Sequence, residues 1–477
     1  MKLITGFVIT LAMAGGVFTS SLLSSTVSAT PDEMPQEEKS SPFVVHEWGT
    51  FTTFSGSNGV HMDFRPLLDQ ELPWFVMDRA SQSGQIWLGK GRIRTRVRME
   101  TPVTYFYTDV ERTVSAKVRF PKGLLTEFYP PVREMAPAYD HVAATQGEGE
   151  PVGNGLLDWG SIQLIPASSL RPSVKDVDTA NWLQEVFTSK ILTEAKGNHY
   201  AHARETDSAY VYSRLLPAGN PQWVKAALKL PSSPGPDNSP PEHHLEKFLF
   251  YRGVGQFDVP VQVTTDETNR VIVTNKGSQH VSGMILLTVK NASLRMAQVP
   301  DCAAGESQTV TLPTEPIAME ALRAAIIERL IAAGLFEKEA IAMVNTWQSS
   351  WFTEQGTRLF YLVPQQTTDE LLPLEITPAP DKTVRVMVGR VEIMSATQEQ
   401  QLMTVLKRSA QERKVAWAKA AEEKSPVAPT LPIPAEFVTL GRMAEPALAR
   451  LQAIAKQREV AAEAETLLTQ LRSDVHQ

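Results

Sequence analysis

The sequence predicts a β-rich α+β, multi-domain fold: an N-terminal β-sandwich-like domain, a second small immunoglobulin-like sandwich, a helical hairpin with strands, and C-terminal helices. Three observations point that way. From Phe43 to about Leu230, aromatic and β-branched residues recur in short runs separated by turn residues. A stretch of turn and breaker residues at 232–241 interrupts the chain, and short alternating runs resume beyond it. From Thr314 the apolar spacing lengthens from two residues to about 3.6. The 477 residues give room for two to four domains, at about 100–200 residues each.

Residues 1–29 read as a secretory signal peptide: Lys2 opens it, Leu3 to Val17 is apolar, and Val27-Ser28-Ala29 is a cleavage-type tripeptide. The apolar run is shorter than the roughly 20 residues of a bilayer span, and no second long apolar run follows. The expectation is an exported protein, periplasmic or extracellular, cut near Ala29 and left without a transmembrane segment. Residues 30–42 form a flexible leader. Residues 43–231 are the aromatic-rich β domain, with strands expected at 43–54, 93–98, 103–108, 114–120, 161–165 and 208–214. A long loop is expected at 130–155 and a short helix near 178–187.

The Pro/Ser linker spans 232–244, and His243 and His244 at its end are expected in solvent. Residues 245–313 carry the alternation Val259, Val261, Val263 and the run from Val271, the basis of the immunoglobulin-like expectation. Residues 314–395 hold the helical hairpin plus strands. Thr314 is the expected cap, Met319, Leu322, Ile326, Leu330 and Ala333 form one stripe, and Gly334 is the stop. A second helix runs to about Trp347, and strands follow at 357–363 and 383–394. Residues 396–477 supply the C-terminal helices, 397–423 and 445–472, either side of a Pro-rich break at 426–434.

With 42% hydrophobic and 21% charged residues, the composition excludes a disordered or collagenous chain. The single cysteine, Cys302, excludes a disulfide scaffold and any all-thiolate metal site, and reads as an incidental loop thiol. Lys2 is the only charged residue of the first 29, so removing the signal takes the net charge from −7 to −8. That sign excludes a general nucleic-acid partner.

His46-Glu47-Trp48-Gly49 is the first candidate site. On a strand His46 and Trp48 share a face and Glu47 takes the other, so adjacent residues cannot clamp one ion. His46, Glu47, His61 and Asp63 remain the acid/base candidates. The second candidate is a row of arginines, Arg92, Arg94, Arg96 and Arg98, which a strand would set on one face about 6.6 Å apart. Together with Trp48 they are the candidate ligand-binding residues, since four guanidiniums suit phosphate, sulfate or uronate unless carboxylates answer them. Third, His199, His202 and Glu205 would reach one another on a helix and could hold zinc. The flanking residues favour a strand, which separates them, so a divalent metal is admitted but not favoured as a cofactor.

The stretch His46-Glu-Trp-Gly-Thr-Phe-Thr52 resembles the opening signature of a family of uncharacterised exported bacterial proteins. Met99-Glu-Thr-Pro-Val-Thr-Tyr-Phe-Tyr107, Glu246-Lys-Phe-Leu-Phe-Tyr-Arg-Gly-Val-Gly255 and Thr357-Arg-Leu-Phe-Tyr-Leu-Val-Pro364 are similar to later stretches of the same family. No activity is established for it, so the resemblance implies one continuous exported architecture and assigns no site residues. On the residues themselves, the leading expectation is a non-catalytic cell-envelope protein that binds an anionic or glycan ligand, or an envelope protein partner. The alternatives are an exported hydrolase using His46, His61, Asp63, His199 and Glu205, and a purely structural surface component.

Overall fold

A sheet of nine strands, assembled from widely separated parts of the chain, organises the molecule. The computed structural model describes residues 41–64, 72–73, 75–79, 95–137, 153–170, 199–213, 244–268, 270–427 and 429–474. The signal and leader up to residue 40, the helix expected at 178–187 and linker residues 232–243 lie outside the described residues.

In spatial order the large sheet runs β14 (Ser293–Gln298), β13 (Ser282–Lys290), β16 (Gly356–Val363), β18 (Lys382–Ile393), β1 (Val44–Ser55), β3 (Val97–Tyr107), β10 (Leu249–Gly255), β5 (Gly123–Tyr129) and β2 (Met77–Asp78). A second sheet is built from β17 (Leu374–Thr377), β4 (Arg112–Phe120), β7 (Gly155–Ile165), β8 (Tyr210–Ser213) and β9 (His244–Glu246), with β6 (Glu134–Ala136) also on β7. A third joins β11 (Val261–Thr265), β12 (Arg270–Asn275) and β15 (Ser307–Thr311). Among the described residues there are seven α-helices, in chain order α1 (Met319–Ala332), α2 (Glu337–Phe352), α3 (Gln365–Leu371), α4 (Ala396–Glu422), α5 (Ala435–Val438), α6 (Ala444–Ile454) and α7 (Arg458–Asp474).

The β-rich α+β class is therefore the one adopted. Stretches 43–231, 245–313 and 314–395 all contribute strands to the large sheet. The strands of 245–313 divide among the three sheets, β10, β13 and β14 in the large one, β11, β12 and β15 in the small one and most of β9 in the second.

Strand alternation gives the large sheet two apolar faces. Val45, Phe51, Met99, Tyr251, Leu286, Leu359, Met387 and Val391 point into a core shared with Val118, Trp159 and Leu164 of the second sheet and Val263 and Val273 of the third. Trp48, Val103, Phe250, Leu287, Phe360, Val386 and Val388 point the other way, under Leu322 and Leu330 of α1 and Met343, Trp347 and Trp351 of α2. The molecule is thus layered as helices, large sheet, smaller sheets. A third core holds the C-terminal helices: Leu402, Leu406, Leu448, Leu451 and Leu467 close on Phe54 near the end of β1 and on Met62 and Phe64 beyond it.

Where β18 pairs with β16, Gly389 lies opposite Tyr361 and admits its ring. A Cβ on Gly389 would stand 2.0 Å from Tyr361 Cζ, and Tyr361 is buried. Gly389→Ala is accordingly expected to cost about 1–3 kcal/mol through overpacking. Urea denaturation of the variant checks this, and an unchanged midpoint would mean that the ring has another place to go.

Several boundaries differ from those read in the sequence. α1 begins at Met319 with Ala318 as its cap residue, four residues later than a Thr314 cap implies. Its end is a Schellman closure, with Leu335 N donating to Leu330 O and Gly334 N to Ile331 O. The single helix expected at 445–472 is two helices, because Ala455 is extended and lets α6 and α7 fold back on each other. Part of the long loop forms β6, while residues 138–152 lie outside the described residues. His244 starts β9 and is buried beside Tyr129, not in solvent. Cys302 is buried, with its thiol donating to Glu306 O at 3.1 Å.

Near the C-terminal end of α2 four guanidiniums and three carboxylates gather, with Arg98, Arg358, Arg390, Glu100 and Glu392 buried and Arg442 and Glu354 partly exposed. Arg358 donates to Trp351 O at 2.6 Å and to Glu354 O at 2.8 Å, so a cation closes the negative end of the helix dipole. Arg390 donates to Glu392 at 2.6 Å, to Ser350 O at 3.0 Å and to Glu354 at 3.0 Å. Arg98 pairs with Glu100 at 3.1 Å, and Thr52 donates to the same carboxylate at 2.7 Å. From the C-terminal helices Arg442 reaches in, 2.9 Å from Glu354 and 3.5 Å from Glu100.

Candidate functional site

His46 and Glu47 leave β1 on opposite faces, and each finds a distant partner. On the helix side His46 Nδ1 stands 2.7 Å from Glu339 Oε2. Glu339 also accepts from the Tyr107 hydroxyl at 2.7 Å and from Phe336 N at 2.7 Å, the latter fixing the start of α2. The Phe336 ring stacks on His46 at 4.4 Å. His46 and Glu339 are both buried. Burial and the neighbouring Glu339 push the Tyr107 hydroxyl well above its usual range, so it stays protonated and donates.

On the sheet side Glu47 accepts from Arg385 Nε at 2.7 Å and from Thr104 at 3.0 Å. Tyr251 donates its hydroxyl to the same carboxylate. Arg385 donates onward to Asp369 at 2.9 Å. Burial alone would lower the Arg385 pKa, but the Glu47 carboxylate overrides it and holds the guanidinium firmly charged.

Arg385 also lines a cleft of about 390 Å³ at the end of the large sheet, where β13 and β18 begin, β16 ends and α1 finishes. Its polar wall holds Arg329, His280, Ser282 and Gln365, and its apolar wall Ala332, Ala333, Leu362 and Val386. Arg329 is steadied by donating to Ala325 O at 2.7 Å. Among the described residues no carboxylate lies within 4.0 Å of its guanidinium.

The remaining sequence candidates scatter. Trp48 is fully buried and presents no platform to a ligand. Gly49 permits a close approach by Pro102 and Met387, the neighbours a Cβ would meet at 3.0 and 2.9 Å. His61 bridges to Ser55 at the far end of β1, nine residues from His46, or about 30 Å along a strand. Burial lowers the His61 pKa, against the raising influence of Asp258. Asp63 pairs with Arg96 at 3.2 Å and faces a smaller cleft of about 200 Å³ with Glu445, Glu465 and Arg472.

Of the arginine row, Arg92 and Arg94 lie outside the described residues. Arg96 and Arg98 are answered by carboxylates, Arg96 by Asp63 and Asp258 and Arg98 by Glu100. The stretch from His199 is not a strand but a 3-10 helix, His199–Arg204. His202 pairs with Glu205 at 3.0 Å in solvent, while His199 turns to Arg252 and to the Trp347 ring, 6.4 Å away. Among the described residues no three His, Cys, Asp or Glu side chains gather in a way that could hold a metal ion.

Sequence reading missed Glu339, Arg385 and Arg329. One signal was present: Arg385, Arg390 and Glu392 interrupt an otherwise apolar strand run, and charges so placed are buried and paired.

These features define a layered β-rich protein with a cationic cleft at one end of its central sheet, backed by two buried couples from the His46-Glu47 stretch. No family model matches the chain, and no curated protein matches it. Among the described residues no helix is long and apolar enough to cross a membrane.

Proposed function

We propose that the protein is an exported, non-catalytic component of the bacterial cell envelope that binds an anionic or glycan ligand in the cleft at the end of the large sheet. The observation that carries this reading is Arg329, a guanidinium on the cleft wall that no described carboxylate answers. The cleft falls within the roughly 300–1,000 Å³ common for small-ligand sites. Export is supported by Lys2, the apolar run to Val17 and the Val27-Ser28-Ala29 tripeptide, together with the resemblance of the His46-Glu-Trp-Gly-Thr-Phe-Thr52 stretch to exported bacterial proteins. The hydrolase alternative has less support, because His46, His61 and His199 sit at separate places in the fold.

Titration calorimetry against a panel of sulfated and uronate oligosaccharides tests the reading. Binding is expected for at least one of them, weakened about tenfold by Arg329→Ala, the worth of one charge-assisted hydrogen bond. Absence of heat across the panel, or equal affinity in the variant, would end it.

A further inference from the structure

Charge around the cleft limits what can occupy it, and this inference rests on the binding reading above. Arg385 is cationic but comes with two carboxylates, Glu47 and the half-exposed Asp369. Those three groups together carry one negative charge. Exposed His280 stands 4.0 Å from Asp301. Among the described residues of the wall, Arg329 is therefore the guanidinium that no carboxylate answers.

A ligand with a single anionic group can place it on the Arg329 fork. A second anionic group on the same ligand residue would find Arg385 already answered by Glu47 and Asp369. The rest of the wall splits between hydrogen-bonding Ser282 and Gln365 and small apolar Ala332, Ala333, Leu362 and Val386. Such a lining suits a compact body with hydroxyls on its rim and C–H groups on a face.

We infer that the cleft takes a sugar bearing one carboxylate, a uronate, with the carboxylate on Arg329, and selects against multiply sulfated sugars. Arg329 leans on its own helix through Ala325 O, which holds its fork ready and leaves its remaining N–H groups for the ligand.

Calorimetry with galacturonic acid, its methyl ester and a disulfated disaccharide tests this on the full protein. The acid is expected to bind about tenfold tighter than the uncharged ester, and the disulfated sugar more weakly than the acid. Arg329→Gln should remove the preference for acid over ester, weakening the acid about tenfold and leaving the ester unchanged. Equal binding of acid and ester, or tightest binding of the disulfated sugar, with Arg329→Gln still weakening them, would overturn the uronate assignment and leave the cleft reading standing. No binding of any of the three, or affinities untouched by Arg329→Gln, would remove the cleft reading itself.

Discussion

Arg390→Ala is expected to lower the unfolding free energy by about 3–5 kcal/mol, the usual cost of removing one partner from a buried ionic network. Arg390 is fully buried, and its guanidinium holds Glu392, Glu354 and the Ser350 carbonyl near the end of α2. Truncation leaves Glu392 buried against Arg358, with Arg442 the other cation acting on it, and it strips a cation from the carbonyl end of the helix. Replacing Arg390 and Glu392 together by apolar residues of similar volume should recover much of the loss, since the pair's own attraction barely exceeds its desolvation. Guanidinium denaturation of both variants measures this. A single-variant loss below about 1 kcal/mol would show that water or Arg442 takes over the vacated place.

Acid is expected to weaken the same cluster through Glu100. Burial would raise the pKa of this carboxyl, but Arg98, Arg442 and Arg390 and the Thr52 hydroxyl more than reverse it, bringing it to about 2 from 4.5. A folded-state value below the unfolded one stabilises the charged form, so the contribution is complete above about pH 4.5 and is lost as pH falls toward 2. Its size is roughly 3 kcal/mol, at about 1.4 kcal/mol for each pH unit separating the two values. Glu392 is lowered in the same direction, burial again being opposed by Arg358 and Arg390, and adds to the slope. Urea midpoints between pH 6 and pH 2.5 should fall steeply for the natural protein and less steeply for Glu100→Gln. Parallel curves would show that Glu100 is not the group responsible.

Local regularities were legible in the sequence because they need only neighbours. The stripe of Leu322, Ile326 and Leu330 becomes the buried face of α1, ended at Gly334. The two-residue period puts His46 and Glu47 on opposite faces, as found. Partners across the fold were not legible. Glu339 is 293 residues from His46 and Arg385 is 338 from Glu47, and no local pattern joins them.

The arginine row shows the same limit from the other side. Its spacing is plain in the sequence, but the carboxylates of Asp63, Asp258 and Glu100 that neutralise Arg96 and Arg98 emerge only when strands and loops assemble. His199 fails for another reason, since a 3-10 turn against α2 is decided by packing on Trp347 and not by flanking propensity.

β1 lies at the middle of the large sheet and runs parallel to β18. A chain delivered N-terminus first presents Glu47 some 338 residues before Arg385, a wait of roughly 20–70 s at about 5–20 residues per second. Until then the central strand lacks one of its two neighbours, and the sheet cannot close. The waiting segment, with Trp48, two Phe and three Thr, is meanwhile left open to aggregation.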